Sequence, residues 1–198
     1  AAMAPAANAA PLGGEGKIVE ADETYYGPKK IKKSTRSDGS PLKTGGRRGG
    51  PSNKRPIVTL VERGGKVRSF HVPRADKATV AKIVTDNIHH ESRLHTDESN
   101  LYSGAEMFFA SHETVNHTAK EYARGDVHVN SAEGFFGVFK RGMRGVYQHC
   151  SEKHLHRYLA EFDFRYNRRT ALGWNDDQRT LAAVEGAIGK RITYKKPH

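Results

Sequence analysis

A single cysteine, Cys150, in 198 residues rules out an internal disulfide and any zinc site built from several cysteines. Long apolar runs are missing too. Hydrophobic residues are 36% of the chain, mean hydropathy is −0.74, and no stretch approaches the ~20 apolar residues that span a bilayer. No membrane partner is expected. The alanine-rich start, AAMAPAANAAPLGG, has neither a basic leader nor a continuous apolar segment, so a reducing cytoplasm is expected rather than secretion. No G-x-S-x-G elbow offers a serine nucleophile, and GGRRGG lacks the G-K-[ST] ending of a phosphate-cradling loop. Histidines are plentiful, but His112, His117, His149, His154 and His156 around one cysteine make no zinc pattern, and no zinc site is expected.

Acids are the scarcer charge, 22 against 33 basic residues, for a net +11. The excess is concentrated. Between Gly27 and Arg55 lie Lys29, Lys30, Lys32, Lys33, Arg36, Lys43, Arg47, Arg48, Lys54 and Arg55, opposed by Asp38 alone. Six glycines and three prolines in the same stretch argue against regular structure. A solvated loop is the plain reading of such a charge run. A flexible basic arm suits a phosphate backbone better than a membrane, because it has few apolar residues to insert.

Residues 1–16 read as a flexible linker or terminus, 17–190 as one domain with 27–55 as a basic insertion, and 191–198 as a basic tail. Ile18–Tyr26 alternates as a strand, and Ile57–Glu62 and Lys66–Val72 flank Gly64-Gly65 as a hairpin. Helical recurrence follows Asp76 as far as Ile88. Arg93–Asp97 reads as a short strand, Leu101–Ala110 as a short helix and Glu113–His117 as a last strand. The next helix is expected to be capped by Asn130 or Ser131, to run through Lys140 and to end at Gly142 and Gly145. Another, capped by Ser151, carries a core stripe of Leu155, Tyr158, Leu159, Phe162 and Tyr166, and a short helix near Gln178–Ile188 closes the series. This order predicts an α/β fold of the ribonuclease-H-like kind. Its mixed five-stranded sheet is flanked by helices, with the first and fourth strands side by side.

Three acids fall at telling places in that order: Asp22 in IVEADETYY, Asp97 in RLHTDES and Glu133 in HVNSAEGFFGVFKRG. Neighbouring central strands would set Asp22 beside Asp97, and hard carboxylate oxygens from separate elements are what a Mg²⁺ or Mn²⁺ site needs. Each acid has an ordinary alternative: an exposed strand face for Asp22, a turn for Asp97, a helix-dipole partner for Glu133. Glu23 alternates to the opposite face and is the weaker candidate. Lys140 lies nearly two turns beyond Glu133 on the same helix edge, about 10 Å along, where it can hold a phosphate or be a plain surface lysine. His95, two residues before Asp97 on one strand face, is an accessory candidate.

The segments VEADETYYG, LHTDES and EYARGDVHVNSAEGFFGVFKRGMRGVYQHCSEKHLHRYLAEFDFRYNRR resemble the catalytic domain of bacterial insertion-sequence transposases of the DDE class, in the subgroup with an H-x-N-S-x-E-G-F block. The resemblance runs over residues 17–190. It implies a DDE transposase that uses two Mg²⁺ ions, with Mn²⁺ as a substitute, to cut DNA at transposon ends and join the freed strand to target DNA. Carried over by motif, Asp22, Asp97 and Glu133 are the catalytic acids and metal ligands, with Asn130 as the alternative third ligand, and Lys140 is the basic residue after the glutamate. Lys29, Lys30, Lys32, Lys33, Arg47, Arg48, Arg141, Arg144, Arg168 and Arg169 are the further expected DNA contacts. The implied partners are double-stranded DNA and, once assembled on it, other copies of the chain; the implied location is the bacterial cytoplasm, at the nucleoid. Two departures stand out: no DNA-reading region precedes the domain, suggesting a truncated product, fragment or domain-only gene, and Phe136 sits where tryptophan is frequent. A truncated or domesticated derivative that holds DNA without cutting is the alternative reading.

Overall fold

The structure, a computed structural model, describes residues 9–28, 54–116 and 123–190. Strand β1 (Ile18–Pro28) occupies the centre of a five-stranded sheet with β2 (Lys54–Glu62), β3 (Val67–His71), β4 (Arg93–Asp97) and β5 (Ser111–Val115), in the order β3-β2-β1-β4-β5. The pairs β1–β2 and β2–β3 are antiparallel, whereas β1–β4 and β4–β5 are parallel. This is the mixed, ribonuclease-H-like sheet predicted from the element order.

Both faces of the sheet are covered, and β2 shows it most clearly. It is a continuous buried run rather than an alternating one. Val58 and Leu60 pack with α1 (Lys77–Asn87) through Val80 and Val84, while Ile57 and Val61 pack with α2 (Asn130–Gly142) and α3 (Leu155–Tyr166) through Phe135, Phe139, Leu155 and Leu159. The exposed edge of β3 is closed by α3. Asp163 accepts hydrogen bonds from Ser69 N at 2.8 Å and Ser69 Oγ at 2.7 Å. Asn167 accepts from Val67 N at 2.6 Å and donates to Val67 O at 2.9 Å, which occupies an edge that would otherwise invite another strand.

Local signals place most elements where the sequence suggests. Gly64, at φ +70°, turns the hairpin, and the Asp76 carboxylate accepts from Thr79 N at 2.9 Å to cap α1. Asn175 and Gln178 form a capping box at α4 (Asp176–Glu185). Several expectations shift, among them the cap of α2, whose N-cap is Val129 rather than Asn130 or Ser131. Leu101–Ala110 is not one helix but two 3₁₀ turns, Asn100–Tyr102 and Ala105–Met107, separated by Gly104 at φ +93°. The last strand begins two residues early, at Ser111. Gly142 does not stop α2: a π turn, Met143–Tyr147, carries it on, and the glycine is there because an added Cβ would meet the Phe162 ring at 2.6 Å. Ser151 makes no side-chain cap, and a 3₁₀ turn, Glu152–His154, leads into α3 instead. In the segment read as a linker, Leu12 is 3% exposed and its backbone bonds with Asn87 and His89, so this part packs onto the fold. Among the described residues no helix is long and apolar enough to cross a membrane.

Candidate active site

The β1–β4 register aligns Glu20 with His95, so two residues further along both parallel strands Asp22 stands beside Asp97. Glu23 joins them, and one carboxylate oxygen from each of the three lies within 4.8 Å of the others. Strand alternation sends Glu23 to the opposite face from Asp22, but the turn after β4 draws it round. Ser99 Oγ donates to Glu23 Oε1 at 3.3 Å, Tyr102 Oη donates to Glu23 Oε2 at 3.1 Å, and Ser99 N donates to Asp97 Oδ1 at 3.0 Å. The turn-forming role of Asp97 and its place in the acidic group therefore coexist. Strand alternation gives Glu23 the lower rank; the hydroxyls of Ser99 and Tyr102, two and five residues after Asp97, are the available signal.

Burial, with the Asp97 and Glu23 charges beside it, pushes the Asp22 carboxyl up to about 8, against a 2.7 Å bond from Glu23 N and with a further push from Glu133. Burial and then Asp97 raise Glu23, while the Tyr102 and Ser99 hydroxyls pull it back. The mutual repulsion that helps raise Asp22 and Glu23 would be relieved by a cation among the three carboxyls. An all-carboxylate, hard-oxygen set of this kind fits Mg²⁺ or Mn²⁺, and these residues are a fitting seat for one.

The remaining candidates separate by place. Glu133 is exposed in the first turn of α2, outside the 4.8 Å group, yet its charge is felt at Asp22. Asn130 is exposed at the first residue of α2. Lys140 is half-buried over the Phe136 ring, 5.8 Å from its centroid; burial lowers it, the Asp22 charge opposes that, and Arg144 and Lys54 reinforce it. Lys140 therefore feels the acid Asp22 and the cations Arg144 and Lys54 together. Arg141 and Arg144 are exposed. Arg169 is occupied within the fold, donating to Gly65 O and Tyr166 O at 2.9 Å and stacked 4.0 Å from the Tyr166 ring. Arg168 lies between the rings of Phe164 and Trp174. Lys29, Lys30, Lys32, Lys33, Arg47 and Arg48 fall outside the described residues. His95 is not part of the acidic group; it is fully buried, with Nδ1 3.3 Å from Arg63 Nη2 and Nε2 3.7 Å from Glu113. Burial and the Arg63 charge lower it.

A sheet of this topology with acids gathered at the join of its central parallel strands defines a ribonuclease-H-like domain with an acidic centre. The sequence pattern of the ISXO2-like transposase domain matches residues 11–167. The chain belongs to that family, a family of insertion-element transposases. It is 33% identical over 156 residues to a protein named "Uncharacterized protein in transposable element ISH50" in Halobacterium salinarum, covering 74% of this chain and 51% of that one. It is 26% identical over 102 residues to an "Uncharacterized transposase-like protein" of Haemophilus influenzae, covering 52% of this chain and 81% of the relative. The chain therefore spans about half the length of the first of these relatives.

Proposed function

We propose that residues 17–190 form the catalytic domain of a DDE transposase, which hydrolyses a phosphodiester at a transposon end and transfers the freed strand to target DNA. The observation that carries this reading is the meeting of Asp22, Glu23 and Asp97 within 4.8 Å, with the Asp22 charge acting on Lys140. Asp22 and Asp97 are the two strand-borne metal ligands and Glu133 the helix-borne one, with Asn130 as the alternative. Divalent ions, two Mg²⁺ or Mn²⁺ in their place, supply the charge that stabilises the attacking and leaving oxygens of the displacement. Glu23, tethered by Ser99 and Tyr102, holds the Asp97 side of the group and offers a further oxygen. Lys140 receives a phosphate oxygen of the cut strand, and Arg144 and Lys54 extend that grip along the backbone. The basic stretch 27–55 follows the duplex beyond the site, and the protein works on double-stranded DNA at the nucleoid in the cytoplasm, as copies assembled on the two ends.

The test is an end-bearing duplex incubated with the protein in Mg²⁺, in Mn²⁺ and in chelator. Nicked and joined products are expected only with metal, and Asp97→Asn is expected to abolish them while shifting DNA as well as wild type does, since the basic residues are untouched. Equal DNA shift in all conditions with no product would show a binding protein instead. Wild-type cleavage by Asp97→Asn would refute the metal site.

A further inference from the structure

Helix α2 begins without a local cap: Val129 stands at its N-cap position and makes no side-chain bond to the first turn. The Asn130 N–H reaches His128 Nδ1 at 3.4 Å, and the next two N–H groups are taken up by a residue from the centre of the sheet. Glu20 is fully buried, and its Oε2 accepts from Ser131 N at 2.7 Å and Ala132 N at 3.1 Å. Its Oε1 accepts from Ser131 Oγ at 3.0 Å and from Arg63 Nε and Nη2 at 2.9 and 2.8 Å. Arg63 in turn donates to Asp126 O at 2.7 Å and His128 O at 3.1 Å, fixing the segment that enters the helix. A carboxylate that receives five hydrogen bonds, two of them from a guanidinium, is compensated in the interior, and its acceptors complement the positive end of α2.

The position of this clamp matters more than its strength. Glu20 lies two residues before Asp22 on the same face of β1, about 7 Å along the strand. Its contacts end at Ala132, and the next residue is Glu133. One strand therefore carries both an acid of the metal site and the residue that holds the helix bearing another. We propose that Glu20 is a positioning residue, which sets the reach of Glu133 toward the Asp22–Asp97 pair by gripping the N-terminus of α2. The inference rests on the reading of Glu133 as the helix-borne ligand.

Three variants test it. Glu20→Asp keeps the charge opposite Arg63 and shortens the reach by one methylene; Glu20→Gln keeps the reach and loses the charge. Ser131→Ala removes one of the five bonds and leaves Glu20 in place, so it stays folded if the other two do not. Asn167→Ala, at the end of α3 where it bonds Val67 of the edge strand β3, is the control for stability loss alone. Mn²⁺ affinity is measured by calorimetry, amide exchange at Ser131 and Ala132 by NMR, and cleavage as a function of Mg²⁺ concentration. The Glu20 variants are expected to bind Mn²⁺ about tenfold more weakly and to need correspondingly more Mg²⁺, the scale of loss when a supporting residue behind a ligand is removed. Exchange at Ser131 and Ala132 should quicken, DNA binding in chelator should be unchanged, and Ser131→Ala should move in the same direction by less. Wild-type metal dependence in folded variants overturns the role of Glu20, as does an equal shift in Asn167→Ala. A wild-type protein that neither binds Mn²⁺ nor cleaves overturns the metal-site reading itself, and this inference with it.

Discussion

The hydroxyl of Tyr102, a residue 3% exposed, points at Glu23 and donates to its Oε2 at 3.1 Å, linking the turn after β4 to the carboxylate beside Asp22. Tyr102→Phe keeps the ring in the core and deletes only that donor. Glu23 then loses one of the two hydroxyls that draw it toward Asp97, and Mn²⁺ affinity is expected to fall about tenfold. Calorimetric titration checks this, and an unchanged affinity would mean that Glu23 takes no part in holding the metal.

Glu133 and Asn130 can be ranked. Both stand in the first turn of α2, but only Glu133 adds a charge that Asp22 feels. Glu133→Gln should be as inactive in end cleavage as Asp97→Asn, whereas Asn130→Ala should retain measurable product. The reverse order would assign the third position to the amide.

The arm makes a thermodynamic prediction. Pro28 and Lys54 are ladder partners, so excising the residues between them can be bridged by a short turn without disturbing β1 or β2. If about four to six of its cations meet phosphates, the slope of log K against log salt should fall by about 4–5. The loss should be alike on transposon-end and random duplexes, because phosphate contacts carry no sequence information. An unaltered slope in a filter-binding series would assign the affinity instead to exposed arginines of the helices, Arg141 in α2, Arg144 in the π turn after it, and Arg157 and Arg165 in α3.

Asp163 gives the chain a stability that depends on acidity. Burial lifts its carboxyl from 3.8 to about 6, offset in part by the two bonds from Ser69. The folded state therefore holds its proton more tightly than the unfolded chain does. Stability from this group is full below about pH 4, declines as pH rises toward 6, and then levels off, a difference on the order of 2–3 kcal/mol. Urea unfolding between pH 4 and 7 should show that decline, and Asp163→Asn should flatten it. A profile equally steep in the variant would place the titration elsewhere.

What could be read without coordinates was what neighbouring residues decide. Asp76 before an apolar recurrence, Gly64-Gly65 between two strand-like runs, and Arg93–Asp97 as a strand ending in an acid all depend on a few adjacent positions. The ribonuclease-H-like order followed, and with it the neighbourhood of Asp22 and Asp97. Three features escaped because their partners are distant in sequence. Gly142 looked like a helix stop, but its reason is the Phe162 ring on another helix. Asn130 and Ser131 looked like caps, but the acceptor is Glu20, 111 residues before Ser131. Glu23 was set aside by strand alternation, which says where a side chain departs and not where its end is pulled.

The grip of Glu20 on α2 also bears on how the domain comes together. A sheet formed ahead of α2 holds Glu20 through Arg63 alone, and the three bonds from Ser131 and Ala132 are gained together only when the helix docks and buries the carboxylate. Docking of α2 is therefore close to all-or-none rather than gradual. Partly assembled forms, in which Asp22 and Asp97 are already paired but the helix is still loose, are disfavoured. On the reading of these acids as metal ligands, folding cooperativity would discourage premature capture of metal by two acids of an unfinished site.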